Sequence, residues 1–418
     1  MRTLTGYRIR LYTAVCLFAV VAFGVLAFGG VERSARTVIE GAVFSLAAAW
    51  AFRRVVTPFP VVGSRFVVPI AAVAAISLGQ ALSGQTASWY ITNGYFVLWS
   101  AYTLFFLLCV NVFQDRSIAK SFLTGLVWFG FAVALFGLVQ FYLSPGTLYG
   151  MIEAPRGSVF GPFADRNHFA VLMELVIPAA LLAALDGEEK RTIYFVACGL
   201  LVAAVVVCAS RTGAIIVAAE CAVVLTAAAI EVRGSWRTAS RRAMLPIGGL
   251  ALIAVAFTVA AGPRKLVERF ETVEGDLNRF QVARATWQRA LERPVSGHGA
   301  GTFSIVYPSF AEFDDGHAWN YAHSDTVQMA LELGILGALA PFALAFLILF
   351  RRREKQVWLG LALPLLAGWV HSWTEFPAQM PGLVLVGLVL LAQIAASEEH
   401  LPNRARRRRR RKAAEGTP

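Results

Sequence analysis

One histidine in the sequence stands where a polar stretch turns into a long apolar one. In the segment NYAHSDTVQMALELGILG, His323 is at the changeover and is followed by Ser324 and Asp325. A neutral imidazole accepts a proton near pH 7. A base held at the mouth of an apolar helix is suited to a substrate at the edge of a membrane. His323 is therefore the first candidate catalytic residue.

The residues after His323 form one polar stripe. Asp325, Gln328 and Glu332 recur at i, i+3 and i+7, which places them on one face of a helix. A capped helix whose stripe packs inside a bundle explains Asp325 and Gln328 equally well. It does not explain His323, so we assign chemistry to the histidine and leave the role of Asp325 open.

A second polar group stands at the start of another apolar segment. In VFGPFADRNHFAVL, Arg166, Asn167 and His168 follow a Gly-Pro turn, and Asp165 or Asn167 is a candidate helix cap. Ionisable residues beside a membrane are costly and usually face a cavity or a partner, which makes Arg166 and its neighbours candidate functional residues. The alternative is an interfacial cap with an arginine that reaches lipid headgroups.

A third group joins two very apolar segments with almost no loop between them. In CASRTGAI, Ser210 and Arg211 precede a glycine, and the small residues around them let a ligand approach the backbone. The alternative is an arginine that extends its charge away from the membrane. A guanidinium binds phosphate oxygens in a bidentate manner, which makes Arg211 suited to a lipid-linked phosphate.

The segment DLNRFQVARATWQRALER has apolar residues at helical spacing. It predicts an amphipathic helix on the bundle or the membrane interface, with an apolar stripe of Leu277, Phe280, Trp287 and Leu291. Arg284 points within that stripe, so we expect it to be buried against a partner anion, the alternative being that it lies where the helix leaves the bundle. Arg279 falls on another face. In the following PVSGHGAGTF, alternating glycines fit a phosphate cradle or a flexible re-entry loop equally well.

These groups need a membrane scaffold. Of 418 residues, 57% are hydrophobic and 15% are charged, which is too apolar for a soluble multidomain chain. A spanning helix needs roughly 20 mostly apolar residues. The sequence therefore predicts an all-α, polytopic membrane protein with about twelve spans, at 11–29, 38–52, 66–82, 94–113, 120–143, 167–185, 193–209, 212–230, 244–262, 326–350, 357–372 and 381–396.

Basic residues predict the orientation of these spans. Most of the 38 Lys and Arg residues fall in the connections on the side of the N-terminus or in the tail RARRRRRRK. Basic loops stay in the cytoplasm, so we expect both termini to be cytoplasmic and the two long loops to face outward. The predicted divisions are spans one to nine with an outward loop at about 144–166 (1–262), a large outward loop with the amphipathic helix (263–324), spans ten to twelve (325–396) and a basic tail (397–418).

The net charge of +12 follows mostly from this topology. A basic run directly after a membrane span more often touches anionic lipid headgroups than nucleic acid, so we expect membrane lipids and no nucleic acid as partners. The five cysteines all fall inside predicted spans and indicate packing, with no metal-binding spacing. We expect neither a metal nor a cofactor.

The motifs and topology together resemble the O-antigen ligase family of membrane glycosyltransferases. The family signature of His, then Asn, Ser or Gln, nine residues, Gly, two residues, and Gly, Thr or Tyr is matched from His323 to Gly337. The family's Arg-x-x-x-Leu reads Arg211 to Ile215, a conservative departure. GPFADRNHFA resembles the start of the family's sixth span, and RATWQRAL with GHGAGTF resembles its approach to the histidine. The motifs cover roughly residues 158–336.

The resemblance implies a GT-C-like enzyme of the inner membrane with its active site at the periplasmic face. Such an enzyme takes a glycan from an undecaprenyl pyrophosphate donor and joins it to an acceptor hydroxyl, such as that of lipid A core or another glycan, without a metal. His323 would be the base. Arg211 and Arg284, with Arg166 behind them, would bind pyrophosphate. Supporting roles would fall to Asn167, His168, Ser210, Ser324, Asp325 and Arg279.

The alternatives differ in the acceptor or in the class of function. An O-antigen polymerase joins lipid-linked repeats, and a related oligosaccharyltransferase uses a protein hydroxyl, with similar catalytic groups. The chain lacks the large C-terminal extension expected of the protein-glycosylating relatives, which favours a ligase over them. A transporter of lipid-linked glycan would show paired halves with matched broken helices, whereas this sequence has one asymmetric loop.

Overall fold

A computed structural model describes residues 4–153, 159–186, 191–231, 249, 274–313, 316, 318–350 and 354–414. Helices dominate this part of the chain, and the strands β1 (Thr147–Leu148) and β2 (Ile152–Glu153) pair as a short antiparallel hairpin. The principal helices are α1 (Leu4–Leu26), α2 (Arg33–Val56), α3 (Val67–Ser83), α4 (Trp89–Val112), α5 (Arg116–Leu143), α6 (Arg166–Asp186), α7 (Arg191–Cys208), α8 (Arg211–Glu231), α9 (Glu274–Ala290), α10 (Asp325–Leu349), α11 (Leu363–His371) and α12 (Pro381–Ala414).

Within the described residues, eight helices are long and apolar enough to cross a membrane: α1, α2, α4, α5, α6, α7, α8 and α10. The helix α3 and the first half of α12 are apolar but shorter. The prediction of an all-α, polytopic membrane protein is confirmed. The predicted span 244–262 and the first part of the large loop lie outside the described residues, so the count of twelve spans stays a prediction.

Two predicted spans differ from the observed helices in length or regularity. The second was expected at 38–52, but α2 is a regular helix of 24 residues. The eleventh, expected at 357–372, consists of the helical turn Lys355–Val357, the π-helical turn Trp358–Ala362 and the helix α11. Pro364 near the start of α11 has no N–H to donate, which interrupts the regular hydrogen-bond ladder at this place.

The helix α6 occupies the centre of the bundle. Every residue from His168 to Leu181 is buried, and α6 packs against α5, α7, α8, α11 and α12. A helix that is apolar on all sides can face lipid or other helices, and here neighbouring helices cover every face of this segment. Packing on every face therefore fixes the start of α6, where Asn167 and His168 lie.

The helix α10 is broken one third of the way along. Gly334 has φ 71° and ψ −174°, a conformation that L side chains rarely adopt, and a Cβ there would lie 2.5 Å from the carbonyl oxygen of Val295. The break lets the segment 294–301 dock against α10: the amides of His298 and Gly299 donate to the carbonyls of Leu331 and Glu332, both at 2.9 Å. The first glycine of the His323 motif is thus required by backbone geometry.

Several helix ends meet near His323. The turn between α1 and α2 approaches the start of α12, where a Cβ on Gly30 would lie 3.0 Å from Pro381. The connection from Ser372 to Met380 joins α11 to α12 and lies against the start of α10, because the amide of Asp325 donates to the carbonyl of Ser372 at 2.9 Å. We refer to residues 372–380 as the 372–380 loop.

Candidate active site

His323 lies in a pocket of aromatic side chains directly before α10. Its ring stands edge-on to Trp319, at 5.4 Å between centroids, and to Phe376, at 4.9 Å. The residue adopts φ 51°, in the left-handed region. Histidine tolerates this region better than most residues, and strained backbone conformations of this kind cluster at functional sites. The surroundings hold the imidazole in place and shield it from water.

The partner of His323 is Glu375 in the 372–380 loop. Nδ1 of His323 lies 3.5 Å from Oε2 of Glu375, whose side chain is 2% exposed. The other carboxylate oxygen, Oε1, accepts from Arg279 Nη1 and from Asn167 Nδ2, both at 2.5 Å. Three segments distant in sequence, namely α6, α9 and the 372–380 loop, therefore converge on the histidine.

The charges around Glu375 keep it ionised. Burial raises the pKa of this carboxyl, but contact with His323 and the positive charge of Arg279 outweigh burial and lower the pKa to about 2. A carboxylate facing Nδ1 favours the tautomer that carries its proton on Nδ1. The lone pair of Nε2 is then the one that can accept a proton, as a general base requires.

Asp325, whose role the sequence left open, contacts the 372–380 loop. Its Oδ2 accepts from the amide of Ala378 at 2.8 Å, and its own amide donates to the carbonyls of Ser372, at 2.9 Å, and Glu375, at 3.2 Å. Asp325 thus fastens the 372–380 loop to α10. Ser324 is buried, its side chain does not cap the helix, and its carbonyl accepts from Gln328.

The start of α6 supplies two residues to the site. Asp165 caps the helix by accepting from the amide of Asn167 at 2.8 Å, which confirms one of the two predicted caps. Asn167 bonds Glu375, and the buried ring of His168 packs edge-on to Phe376 at 4.6 Å. Arg166 is the partly buried first residue of the helix.

The start of α8 lies beside the start of α6. Gly213 has no room for a side chain, since a Cβ there would lie 2.5 Å from Cβ of Ala170 in α6. Ser210 is buried, and its Oγ accepts from the amide of Gly213 at 3.3 Å. Arg211 is the partly buried first residue of α8. This close packing brings Arg211 and Arg166 to the same end of two neighbouring helices.

The helix α9 directs Arg279, not Arg284, at the histidine site. Arg279 is 32% exposed and reaches Glu375. Arg284 is 57% exposed and pairs with Glu312 at 3.3 Å, so the expectation that it is buried is wrong. The predicted apolar stripe of α9 is exposed, and the packed face is made of the smaller residues Val282, Ala285, Thr286 and Ala290.

The glycine-rich segment is not open to a phosphate. Its amides are already used within the protein: Gly301 and Phe303 donate to the carboxylate of Glu332, at 2.8 and 3.2 Å, and Ala300 donates to Gln80 Oε1 at 3.0 Å. Burial lowers the pKa of His298 in this segment. Of the two interpretations, the segment fits a re-entry loop, and its glycines allow close approach to α10.

Glu375, the residue that contacts His323, Arg279 and Asn167, was not identified from the sequence. The signal was one acidic residue in the short connection between the last two predicted spans, on the same side of the membrane as His323. Nearness in sequence drew attention to Asp325, whose role stayed open, and not to the more distant Glu375. A search for ionisable residues in every connection on that side would have included Glu375.

An apolar cavity of about 220 Å³ lies beneath the site. Side chains of α3, α10, α11 and α12 line it, and Asp325, Pro377 and Ala378 are at the end nearest His323. The cavity fits an apolar chain whose polar end stays beside the histidine. In the part of the chain that the structure describes, no group of three or more His, Cys, Asp or Glu side chains is arranged to hold a metal ion.

Comparison with known proteins agrees with the motifs. A family model described as O-antigen ligase matches residues 196–342, about a third of the chain, and the matched range includes Arg211, Arg279 and His323. No curated protein and no solved structure matches the chain significantly. The match supports an activity of the O-antigen ligase or polymerase type, which is glycosyl transfer in a membrane. The match at residues 196–342 supports assignment to the O-antigen ligase family.

Proposed function

We propose that the protein is an O-antigen ligase, which transfers a glycan from undecaprenyl pyrophosphate to a hydroxyl of lipid A core. The observation that carries this proposal is the pairing of His323 with Glu375, supported from the other side by Arg279 and Asn167. A base with a fixed tautomer and a neighbouring set of arginines is what a single displacement at an anomeric carbon needs.

The chemistry begins at Nε2 of His323. This nitrogen takes the proton from the acceptor hydroxyl while the hydroxyl oxygen attacks the anomeric carbon of the donor glycan. The bond between that carbon and the pyrophosphate oxygen breaks with inversion, and the electron pair leaves with the pyrophosphate. Glu375 stabilises the imidazolium that forms, since its carboxylate faces Nδ1.

The leaving pyrophosphate needs positive charge in a partly dry site. Arg211 and Arg166 suit this role because they lie at one end of two packed helices. We give the third position to Arg279 in place of Arg284, since Arg279 approaches the histidine site and Arg284 pairs with Glu312 on an exposed face. The apolar cavity beneath Asp325 suits part of the undecaprenyl chain.

The distribution of basic residues supports the orientation that this reaction requires. Basic connections on the side of the N-terminus favour an orientation in the inner membrane with both termini cytoplasmic and the histidine site at the periplasmic face. The donor pyrophosphate then lies at the membrane surface where the acceptor arrives.

An in vitro transfer assay tests the proposal. Purified protein is mixed with a glycan on undecaprenyl pyrophosphate and with lipid A core, and glycosylated lipid A is measured. We expect wild type to form product and His323→Ala to lose about 10³-fold in kcat, as is typical of losing a general base. Polymerised donor without glycosylated lipid A would indicate a polymerase, and movement of the donor across vesicles without any product would indicate a transporter.

A further inference from the structure

A second cationic group, Arg36, lies beside tyrosines that contact the 372–380 loop. Arg36, in the first turn of α2, is partly buried, and its guanidinium stands over the ring of Tyr95 at 5.4 Å. Its guanidinium hydrogen-bonds the phenol of Tyr95, while its buried Nε has no hydrogen-bond partner among the described residues. The sequence motifs gave no reason to single out this arginine.

Arg36 lacks the counter-ion that a partly buried cation normally has. Its electrostatic neighbours are the phenols of Tyr95, Tyr102 and Tyr321. Glu40 and Glu332 interact with it electrostatically, but among the described residues neither forms a salt bridge with it. The Glu332 carboxylate is occupied by the amides of Gly301 and Phe303. A desolvated guanidinium in this state favours an anionic ligand.

Two contacts connect Arg36 to the histidine site. Tyr321 stacks on Phe376 at 4.3 Å, and the same phenylalanine contacts the ring of His323 at 4.9 Å. Tyr95 donates to Gln379 Oε1 at 3.1 Å, in the same loop. An anion bound by Arg36 would therefore lie next to the aromatic pocket of His323.

We infer that Arg36 binds the pyrophosphate of a polyprenyl pyrophosphate. This inference rests on the proposed function, because the donor supplies the anion. A planar guanidinium that is already oriented by an aromatic ring is suited to bidentate contact with a phosphate. The competing explanation is that Arg36 only packs α2 against α4 through Tyr95.

The neighbouring Arg33 provides a matched control. It lies one turn earlier on the same helix, is exposed, and stands over the ring of Tyr90 at 4.7 Å. It shares the charge and the aromatic contact of Arg36 but not its burial or its connection to the 372–380 loop. A difference between the two arginines therefore reports the ligand and not the cation–π contact.

The first experiment measures binding of farnesyl pyrophosphate and of farnesol to the purified full-length chain in detergent. Arg36→Gln should weaken binding of farnesyl pyrophosphate by about tenfold and leave binding of farnesol unchanged, while Arg33→Gln should change neither. An equal loss for farnesol would mean that Arg36 only packs helices, and no loss for farnesyl pyrophosphate would also overturn the inference.

The second experiment avoids any variant that fails to fold. Wild-type protein is treated with phenylglyoxal, which modifies arginine, and modification is read by mass spectrometry at Arg36 and Arg33. Farnesyl pyrophosphate should protect Arg36 and not Arg33, whereas farnesol should protect neither. Equal protection of Arg36 by phosphatidylglycerol would assign it to a phospholipid headgroup and overturn the donor assignment.

The same protein preparation separates this inference from the proposed function. Glycan transfer without protection of Arg36 by farnesyl pyrophosphate would overturn the inference alone. Protection of Arg36 in a protein that transfers no glycan would overturn the proposed function and leave the pyrophosphate site supported.

Discussion

Glu375 and Glu332 are both buried carboxylates near the start of α10, but their surroundings differ in kind. Glu332 accepts from two backbone amides, of Gly301 and Phe303, and from the side chain of Gln328. Glu375 accepts from the side chains of Arg279 and Asn167 and turns its second oxygen to His323. The backbone donors to Glu332 fasten the glycine-rich segment to α10. The side-chain partners of Glu375 instead hold its carboxylate beside His323, the proposed base. Burial of an acid alone does not distinguish the two roles.

The largest expected effect comes from removing the charge of Glu375. In Glu375→Gln the side-chain amide can donate to Nδ1 of His323, which favours the tautomer with its proton on Nε2 and removes the base. We expect kcat for glycan transfer to fall by about 10²- to 10⁴-fold, the range found when a histidine loses its orienting carboxylate or its function as a base. Because the ionised carboxylate also contributes to stability, the midpoint of thermal unfolding should fall as well. A folded variant with unchanged kcat would remove Glu375 from the site.

The matching change in Glu332 should affect stability and not chemistry. In Glu332→Gln one amide of the pair from Gly301 and Phe303 loses its acceptor, which costs about 1–3 kcal/mol in the free energy of unfolding. The midpoint of thermal unfolding in detergent should fall, and kcat should stay within a few-fold at temperatures where the variant is folded. A loss of kcat as large as that of Glu375→Gln would erase the distinction between the two carboxylates.

Arg279 and Arg284, both on α9, allow a similar comparison between a cation at the site and a cation on the surface. Arg279→Ala removes a donor to Glu375 and a charge near the proposed pyrophosphate, so we expect about a tenfold to hundredfold loss in kcat/KM, equivalent to about 1.4–2.7 kcal/mol. Arg284→Ala removes an exposed ion pair, which contributes about 0–1 kcal/mol. Steady-state kinetics on both variants would sharpen the assignment, and the reverse order of effects would favour Arg284 as the pyrophosphate ligand.

The smallest effect is in the pH dependence of stability. The pKa of Glu375 is lowered from 4.5 to about 2, so its contribution to stability is complete above the unfolded pKa and is lost as pH falls toward the folded value. Between pH 6 and pH 4 this loss is about 1 kcal/mol. The unfolding midpoint of wild type should therefore fall more over this range than that of Glu375→Gln, and parallel curves would contradict the low pKa.

The sequence was sufficient to predict the membrane-spanning helices and to single out His323, but not the contact between His323 and Glu375. Apolar segments long enough to span a membrane can be identified from composition, and His323 stood out because its position had no structural explanation. Helical periodicity also placed Arg284 in the apolar stripe of α9, but it could not tell which face of that helix is packed. The packed face is made of small residues, and the large apolar residues are exposed.

Glu375 could not be paired with His323 from sequence because two helices separate them. The contact depends on the packing of α11 and α12 and on Asp325, whose carboxylate holds the amide of Ala378. The polar stripe of α10 lies on one face as predicted. Its carboxylates accept from backbone amides, Asp325 in the 372–380 loop and Glu332 in the glycine-rich segment, and do not contact the imidazole of His323. Tertiary packing decides which carboxylate contacts His323, and no local sequence pattern gives this information.

The position of Glu375 also has a consequence for biosynthesis. A chain entering the membrane from its N-terminus delivers His323 and Arg279 before the last two helices have been made. Until the 372–380 loop arrives, His323 has no carboxylate to select its tautomer, and Arg279 has no carboxylate partner in the site. If the proposed function holds, we expect a nascent chain to transfer no glycan until its final helices are packed.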